Sequence, residues 1–394
     1  MSNTTDPIVI VGMARTPMGG LLGDFAGIDA VELGATAIKA AVERSGVSVS
    51  DIDETQMGCV LPAGLGQAPA RQASKKAGLE NATGAVTLNK VCGSGMKTIM
   101  NAYDSLKAGS NNIMVAGGME SMTNAPHIMA ARSGVKFGDL TAKDHMAFDG
   151  LVDAYEGLPM GNFAELCAEH YQFTREQQDA YAIESLSRAQ KAIADNSFDG
   201  EIAPVTLKTR KGELVIDTDE QPAKARPEKI PSLRPAFKKD GTVTAANASS
   251  ISDGAAAVVM MRQSDAEKRG LTPLAIVHAH ATNSQEPEWF TTAPVKAIEK
   301  VLDQTSWSKE DVDLFEINEA FAVVPMAVMQ EMGISHDKVN VNGGACALGH
   351  PIGASGTRIC VTLINALKKR GLSKGIAGIC IGGGEGTAVA IEVL

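Results

Sequence analysis

Two stretches of the 394-residue sequence share one order of features, and this internal similarity is the strongest constraint on the fold. The first begins SGMKTIMNAYDSLKAG at Ser94 and ends in IMVAGGME; the second begins SGTRICVTLINALKKRG at Ser355 and ends in AGICIGGGEG. Each indicates a turn of small residues, a helix, an apolar strand and a glycine cluster. Coincidence stays open because such units resemble one another, but glycines matched at both ends favour duplication. Two copies would place two loop ends symmetrically across a shared face.

Short β-rich runs alternate with helical patterns along the chain, which favours an α/β architecture. We predict strands at 8–11, 113–116, Leu314–Ile317 and 376–381, and regular structure over 255–261. The spacing of apolar residues predicts an amphipathic helix over 29–45, ended by Gly46 in a left-handed cap. Thr174 and Gln177 form a capping box that predicts a second helix, reaching about residue 196.

Two further segments are less regular. Residues 198–239 are rich in proline, glycine and charge, so we predict an extended loop region there. Residues 319–332 are apolar nearly all round and contain Pro325, which predicts a buried, kinked helix.

The net charge of −10 argues against a nucleic acid or an anionic membrane as the main partner. One segment, residues 223–239, has the opposite sign, because it holds only one acid, Glu228. Its basic residues are Lys224, Arg226, Lys229, Arg234, Lys238 and Lys239. Two interpretations stay open, a solvated loop and a local site for an anionic small ligand.

The cysteines are scattered along the chain, at positions 59, 92, 167, 346, 360 and 380. They form no Cys-x-x-Cys pair and no histidine stands at zinc-ligand spacing, so we expect neither a metal site nor a disulfide framework. No signal peptide precedes the first strand, and no uncharged apolar stretch has membrane-spanning length. We therefore expect a soluble, cytoplasmic protein with reduced thiols.

Cys92 stands in NKVCGSGMK, where the helix of the first copy of the repeat begins. A thiol at a helix N-terminus faces unpaired N–H groups and the positive end of the helix dipole, and both favour the thiolate. Gly93 and Gly95 let a substrate approach the backbone closely. The pattern is typical of an activated nucleophile, although a single cysteine more often fills a small buried space.

A thiol nucleophile needs a base, and His350 in NGGACALGHPIGASG is the best-placed histidine. It stands between Gly349 and Pro351, a setting that suits ligand contact better than core packing. Cys380, in CIGGGEG, repeats the pattern of a thiol at a strand end before glycines, whose N–H groups can form an oxyanion hole. Asn318, in NEAFA, lies between a predicted strand and helix, where capping the helix is its alternative role.

Five blocks of this sequence resemble the signature blocks of the thiolase family, in the family's order and spacing. They are NKVCGSGMK, VAGGMESM, NEAFA, GGACALGHPIGASG and CIGGGEG. The resemblance covers nearly the whole chain and is strongest to the acetyl-CoA acetyltransferase branch. It implies an α/β fold of two duplicated halves stacked in five layers (αβαβα), with an inserted loop domain. The implied domains are an N-terminal half (1–121 and 249–272), a loop domain (122–248) and a C-terminal half (273–394).

The resemblance also implies a reaction and a catalytic set. Family members interconvert two acetyl-CoA with acetoacetyl-CoA plus CoA by Claisen condensation or thiolysis, through an acetyl-cysteine. Cys92 matches the nucleophile, His350 the base that activates it, and Cys380 the base for the α-proton. Asn318 matches an asparagine that holds a water at the enolate oxygen, and the N–H groups of Cys92 and Gly382 match a second oxyanion hole. A broader 3-ketoacyl-CoA thiolase of fatty-acid degradation is the alternative.

Binding residues and partners follow from the same resemblance. Ser249 matches a contact to the pantetheine arm, and Arg226 and Lys229 are implied contacts to phosphate or adenine. The residues that match the acyl and pantetheine pocket are Leu151, Met160, Phe237, Ala245, Ala320 and Phe321. CoA is expected as substrate and product, with no resident cofactor, metal, nucleic acid or membrane partner. A homo-oligomer, dimer or tetramer, is expected.

Several pocket positions depart from bacterial relatives and leave acyl-chain length and branching open. They are Pro159 in place of a histidine, Trp289 and Phe290 in place of Val-Met, and Ala246 and Ser250 in place of glycine. Two rival functions remain. A decarboxylating ketosynthase of the same fold would not need Cys380, and a redox or CoA-binding protein without catalysis would explain neither His350 nor Cys380.

Overall fold

The computed structural model describes residues 6–210 and 212–394, and within them strands alternate with helices. The strands are β1 Ile8–Arg15, β2 Gly19–Gly20, β3 Glu54–Gly58, β4 Gly84–Leu88, β5 Ile113–Ser121, β6 His127–Ile128, β7 Lys143–Asp144, β8 Val205–Thr209, β9 Gly212–Ile216, β10 Ser252–Arg262, β11 Ala275–Ser284, β12 Leu314–Ile317, β13 Lys374–Ile381 and β14 Glu385–Val393. The α-helices are α1 Ala30–Ser45, α2 Pro69–Lys76, α3 Ser94–Ala108, α4 Met160–Tyr171, α5 Arg175–Ala194, α6 Glu220–Lys224, α7 Gln263–Lys268, α8 Ala293–Thr305, α9 Val323–Met332, α10 Ala345–Leu348 and α11 Ser355–Arg370. A π-helical turn spans Ala147–Leu151.

Most of the described strands belong to one long sheet. Its order is β12-β13-β14-β11-β1-β10-β5-β3-β4, and β2 pairs with β10 outside this path. β1 joins the two parts of the sheet, because it pairs antiparallel with β10 and, at its start, with β11, where Ile8 opposes Val277. Two separate hairpins, β6-β7 and β8-β9, lie in the chain between β5 and β10.

The two parts of the sheet repeat one pattern of pairing. In the first part β1, β10 and β5 are antiparallel neighbours, and β5 then pairs parallel with β3. In the second part β11, β14 and β13 are antiparallel neighbours, and β13 then pairs parallel with β12. Helix α3 precedes β5 as α11 precedes β13. The predicted internal repeat is confirmed.

The two helices of the repeat, α3 and α11, cross in backbone contact. A Cβ on Gly356 would lie 2.3 Å from the Met96 nitrogen, and a Cβ on Gly95 would lie 2.8 Å from the Thr357 hydroxyl oxygen. Both distances are too short for a side chain, so the glycines are required for this approach. The crossing brings the start of α3 next to the start of α11.

Helices cover both faces of the sheet. Helix α1 packs on one face of the first part through residues such as Val31. Helices α8 and α9 pack on the second part through residues such as Ile298. Between the two parts lie α3 and α11, which share one core through Ile99 and Ile359. The resulting order of helix, sheet, helix, sheet and helix is the expected five-layer α/β fold.

Two predicted helices are confirmed together with their caps. Helix α1 begins after Asp29, whose carboxylate accepts from the N–H of Glu32, and it ends at Gly46 with φ 71°. Helix α5 begins after Thr174, and both bonds of the Thr174–Gln177 capping box are present. Across the described ranges, no helix is long and apolar enough to cross a membrane.

Two other predictions need correction. The segment 319–332 is not one kinked helix, because α9 begins at Val323 and Pro325 lies in its first turn, where a missing N–H breaks no helix hydrogen bond. The segment 198–239 is not an extended loop throughout, because it contains the β8-β9 hairpin, α6 and a 3-10 turn at Pro227–Ser232. The domain limits after residues 121, 248 and 272 stay a prediction.

Candidate active site

Three loops from distant parts of the chain meet at one cavity of about 520 Å³. Cys92 comes from the turn between β4 and α3, His350 from the turn between α10 and α11, and Gly382 from the turn after β13. All three line the cavity. The structure therefore brings together the predicted nucleophile, the predicted base and a predicted backbone donor.

The turn that presents Cys92 is strained and is fixed by a serine. Val91 has φ 46°, in the left-handed region that a β-branched residue rarely enters. The Ser94 hydroxyl accepts from the N–H of Lys90 at 2.8 Å and donates to the Val91 carbonyl at 2.6 Å. Helix α3 begins at Ser94, so Cys92 stands at a helix N-terminus as predicted.

The Cys92 thiol is protonated in the resting protein. Burial raises its pKa to about 11, although the N–H groups of Gly382 and of Cys92 itself oppose this by hydrogen bonding to the sulfur. The backbone N–H groups favour the thiolate as expected, but loss of water outweighs them, so the pKa of the thiol rises. A nucleophilic sulfur at this position needs a base that takes its proton.

His350 is a neutral base with one free nitrogen. Its Nδ1 lies 2.6 Å from the hydroxyl oxygen of Ser355. Because that hydroxyl donates its own proton to the Pro351 carbonyl at 3.0 Å, it accepts a hydrogen bond from Nδ1–H. Its Nε2 is buried and has no hydrogen-bond partner among the described residues. Burial, and then the charge of Arg358, lowers the pKa of His350 to about 3. Nε2 therefore carries a lone pair that can accept a proton. The sequence did not predict this role of Ser355, which is notable there only as the start of the second copy of the repeat.

Cys380 lies behind the cavity wall. It is fully buried near the end of β13, where it pairs with Gly386 of β14. Burial raises the pKa of its thiol well above the usual value, and the neighbouring Cys92 sulfur raises it further. The two sulfurs are thus close enough to interact, and Gly382, two residues after Cys380, lines the cavity.

Asn318 is buried directly after β12. Its N–H donates to the Gly378 carbonyl at 2.9 Å, which continues the pairing with β13. It caps no helix, because α9 begins only at Val323. Neither atom of its side-chain amide has a protein partner in the described part of the chain. A buried amide without partners costs about 1–3 kcal/mol, so it is typical of a group that binds a polar ligand atom.

The predicted pocket residues form one surface. Those that line the cavity with Cys92 are Ser249, Leu151, Met160, Phe237, Ala245, Ala320 and Phe321. An adjoining cavity of about 500 Å³ contains Arg226 and Lys229 and shares Ala245 and Ser250 with the first. The basic segment 223–239 therefore reaches the outer end of the same site.

Glu120 is a buried residue that the sequence reasoning missed. Its carboxylate accepts from the N–H groups of Val60 at 2.9 Å, Leu61 at 3.1 Å and Gly353 at 2.8 Å. It thereby joins the end of β5 to the loop that carries His350. Burial raises its pKa to about 7 in spite of these donors. The sequence signal that could have identified it is an acidic residue near the end of an otherwise apolar strand, IMVAGGME.

Two family models match the chain. "Thiolase, N-terminal domain" matches residues 8–264, and "Thiolase, C-terminal domain" matches residues 271–393. Together they cover nearly all of the sequence, including every residue placed in the site above.

Similar proteins cover the chain from end to end. It is 50% identical over 388 residues to an acetyl-CoA acetyltransferase of Cupriavidus necator, covering 98% of this chain and 99% of that one. It is 49% identical over 391 residues to acetyl-CoA acetyltransferase 2 of Arabidopsis thaliana, with 98% and 97% covered. Among solved structures, a thiolase from Ascaris suum in complex with coenzyme A matches with TM-score 0.94 and 43% identity, covering 98% and 100%. The acetyl-CoA acetyltransferase of Bacillus anthracis matches with TM-score 0.96 and 40% identity over the full length of both chains.

Proposed function

Because this chain belongs to the thiolase family, we propose that it is an acetyl-CoA acetyltransferase. It interconverts two molecules of acetyl-CoA with acetoacetyl-CoA and free CoA, through an acetyl group carried on Cys92. The observation that carries the proposal is the convergence of Cys92, His350 and Gly382 on one cavity, with the Cys380 thiol close enough to interact with that of Cys92. The names of the relatives agree with this function.

In the first half-reaction the Cys92 sulfur attacks the thioester carbonyl of acetyl-CoA while His350 Nε2 takes its proton. The bond between the carbonyl carbon and the CoA sulfur breaks, and Cys380 gives its proton to the leaving CoA. The N–H groups of Cys92 and Gly382, which already point at the nucleophilic sulfur, are placed to hold the oxygen of the tetrahedral species. Sulfur suits this exchange because thioesters form and break easily by thiol exchange.

In the second half-reaction the Cys380 thiolate removes an α-proton from a second acetyl-CoA. The enolate oxygen is held by the protonated Nε2 of His350 and by the Asn318 amide, directly or through water. The carbanion attacks the acetyl carbon on Cys92, whose sulfur leaves and regains its proton from His350. The high pKa of the buried Cys380 thiol agrees with its role as the base, since the thiolate of such a thiol is a strong base for the α-proton.

The two cavities fit a CoA ester lying along them. The apolar cavity holds the acyl group and the pantetheine arm beside Ser249, whose N–H is engaged by the Ala320 carbonyl at 2.9 Å. The adjoining cavity offers Arg226 and Lys229 to the phosphates. CoA is a substrate and product in this proposal, and no resident cofactor takes part.

We also propose that the protein is a homo-oligomer, a dimer or a tetramer, and that it is cytoplasmic. The segment between β6 and β7 supports assembly, because it exposes the large apolar side chains of Met129, Val135, Phe137 and Leu140. The free state of the cysteines agrees with a reducing compartment.

Cys92→Ala tests the proposed nucleophile. Given acetoacetyl-CoA and CoA, the wild type should release acetyl-CoA, and kcat of the variant should fall by about a thousandfold or more. The control is Cys360→Ala, which removes a buried thiol of α11 outside the cavity, and this variant should keep its activity. Circular dichroism monitors the fold. Undiminished turnover by a folded Cys92→Ala variant would refute the assignment.

A further inference from the structure

A buried ion pair connects the two elements that present Asn318 and His350. Arg358 Nη1 donates to Glu316 Oε1 at 3.0 Å, and the two side chains are 1% and 2% exposed. Apolar side chains of similar volume often stabilise a fold as well as a buried ion pair does, because removing two charges from water is costly. Stability alone therefore does not explain why these two charges are buried here.

The positions of the two residues relate them to the site. Glu316 stands two residues before Asn318, and because side chains alternate along a strand, both fall on the same side of β12 and its continuation. Arg358 stands three residues after Ser355 on α11, so the two share one face of that helix. Ser355 in turn holds Nδ1 of His350. The pair therefore links the strand that carries the amide to the helix that orients the imidazole.

The guanidinium also acts on the imidazole through its charge. Burial is the larger cause of the lowered His350 pKa, and the positive charge of Arg358 is the second. Burial is the main cause that raises the pKa of Glu316, and Arg358 opposes it. Two further carboxylates, Glu319 before α9 and Glu201 after α5, raise this pKa as well.

Within the part of the chain that the structure describes, Arg358 has few other polar neighbours that could hold it in place. On its own helix the nearby titratable group is the Cys360 thiol, whose pKa burial raises to about 12. The second guanidinium nitrogen, Nη2, is buried without a hydrogen-bond partner in the described ranges. Arg358 is thus held in place by one carboxylate and not by a full set of structural bonds.

We propose that Arg358 and Glu316 are positioning residues of the reaction. The ion pair keeps the Asn318 amide and the His350 imidazole at the spacing that one enolate oxygen requires, and the guanidinium places a positive charge where it opposes a second positive charge on the resting imidazole. This inference rests on the proposed function, in which both groups act on that oxygen.

The first test compares Arg358→Met, Glu316→Leu and the double variant in thiolysis of acetoacetyl-CoA. The double variant leaves no buried charge unpaired, so it should fold as the wild type does. Its kcat should nevertheless fall by about tenfold or more, with KM changed by about twofold or less, because small displacements of catalytic groups cost rate more than binding. A folded double variant with wild-type kcat would overturn the positioning role.

The second test needs no turnover, so it separates this inference from the proposed function. Alkylation of Cys92 by iodoacetamide, followed against pH by mass spectrometry, reports the base that takes the thiol proton. Loss of the cation raises the pKa of His350, so the acidic limb of the profile should move up by about one pH unit in Arg358→Met and in the double variant. Arg358→Lys, which keeps the charge, should retain the wild-type profile.

The control is Arg262→Met, which breaks an ion pair with Asp265 at the far end of β10 and should leave the profile unmoved. An unmoved profile in Arg358→Met would overturn the charge effect. A wild type that alkylates normally but performs no thiolysis would reject the proposed function, and the alkylation profiles would still decide whether Arg358 acts on His350.

Discussion

At the scale of single residues, the site rests as three uncharged groups. Burial raises the pKa of both thiols, Cys92 and Cys380, and lowers the pKa of His350. No thiolate–imidazolium pair therefore stands ready at neutral pH, and the nucleophile forms only as a substrate carbonyl arrives. Because oxidation of a cysteine follows its thiolate character, this resting state also limits reaction of the thiols with oxidants.

Cys380→Ser should separate the two half-reactions. A thiolate is a good leaving group, so CoA can depart and take its proton from water, whereas the serine alkoxide is far too hard to form to act as the base for the α-proton. We expect the variant to form acetyl-Cys92 from acetyl-CoA, seen by mass spectrometry, while acetoacetyl-CoA production falls by about a hundredfold or more. Cys360→Ser serves as the matched control. If acetyl-Cys92 itself failed to form, the division of roles between the two thiols would be wrong.

The candidate residues could be predicted from the sequence to different extents. Cys92, His350 and Cys380 could be identified because glycines beside them mark places where backbone approaches a ligand. The role of Glu120 could not be predicted, because its carboxylate binds loops that meet only in the folded chain. Ser355 lies five residues after His350, but no local pattern marks its hydroxyl as the partner of the imidazole. The direction of the Cys92 pKa was also beyond local reasoning, since it depends on how much water the tertiary structure removes.

At the scale of elements, α2 begins in an unfavourable conformation. Ala68, its N-cap, has φ 51° and offers no side-chain hydrogen bond to the helix. The left-handed region costs a residue with a Cβ about 1–2 kcal/mol, and asparagine tolerates it better than alanine because its side chain bonds locally.

Ala68→Asn should therefore raise the free energy of unfolding by about 0.5–1 kcal/mol. Chemical denaturation measures this, and Ala82→Asn, at an exposed turn position with ordinary φ, is the control that should change little. Equal stability of the Ala68→Asn variant and the wild type would contradict the argument that this cap is strained.

Local signals predicted elements well where the chain supplies its own caps, as in α1 and α5. They did not predict the start of α9, because the residues before it pair with a distant segment and are not helical. The Ala322 N–H donates to the Asn247 carbonyl at 2.8 Å, and Phe321 forms a β-bridge with Ala248. The β8-β9 hairpin was missed for another reason. Leu214 and Val215 of β9 are both exposed, so this strand shows no clear alternation of buried and exposed residues.

At the scale of the whole molecule, the segment between β6 and β7 exposes large apolar side chains to solvent. Phe137 is 100% exposed, an uncommon position for a phenylalanine in a soluble monomer. This exposed surface agrees with the homo-oligomer that the family resemblance implies.

Phe137→Asp should lower the assembled mass, measured by light scattering on a sizing column, because a carboxylate is costly to bury between subunits. Activity per subunit should persist, since the residue lies outside both cavities of the site. Leu214→Asp, at an exposed apolar position on β9, is the control. An unchanged mass in Phe137→Asp would remove this segment from the assembly interface.

The contact of α3 with α11 has a further consequence. The half with α3 contributes the sulfur that would carry the acetyl group, whereas the half with α11 contributes the imidazole and the second sulfur. Two such halves made as separate polypeptides could also pair like with like, and those pairings would be inert. Joining them in one polypeptide fixes their stoichiometry at one to one and makes the productive pairing the only one available within a chain.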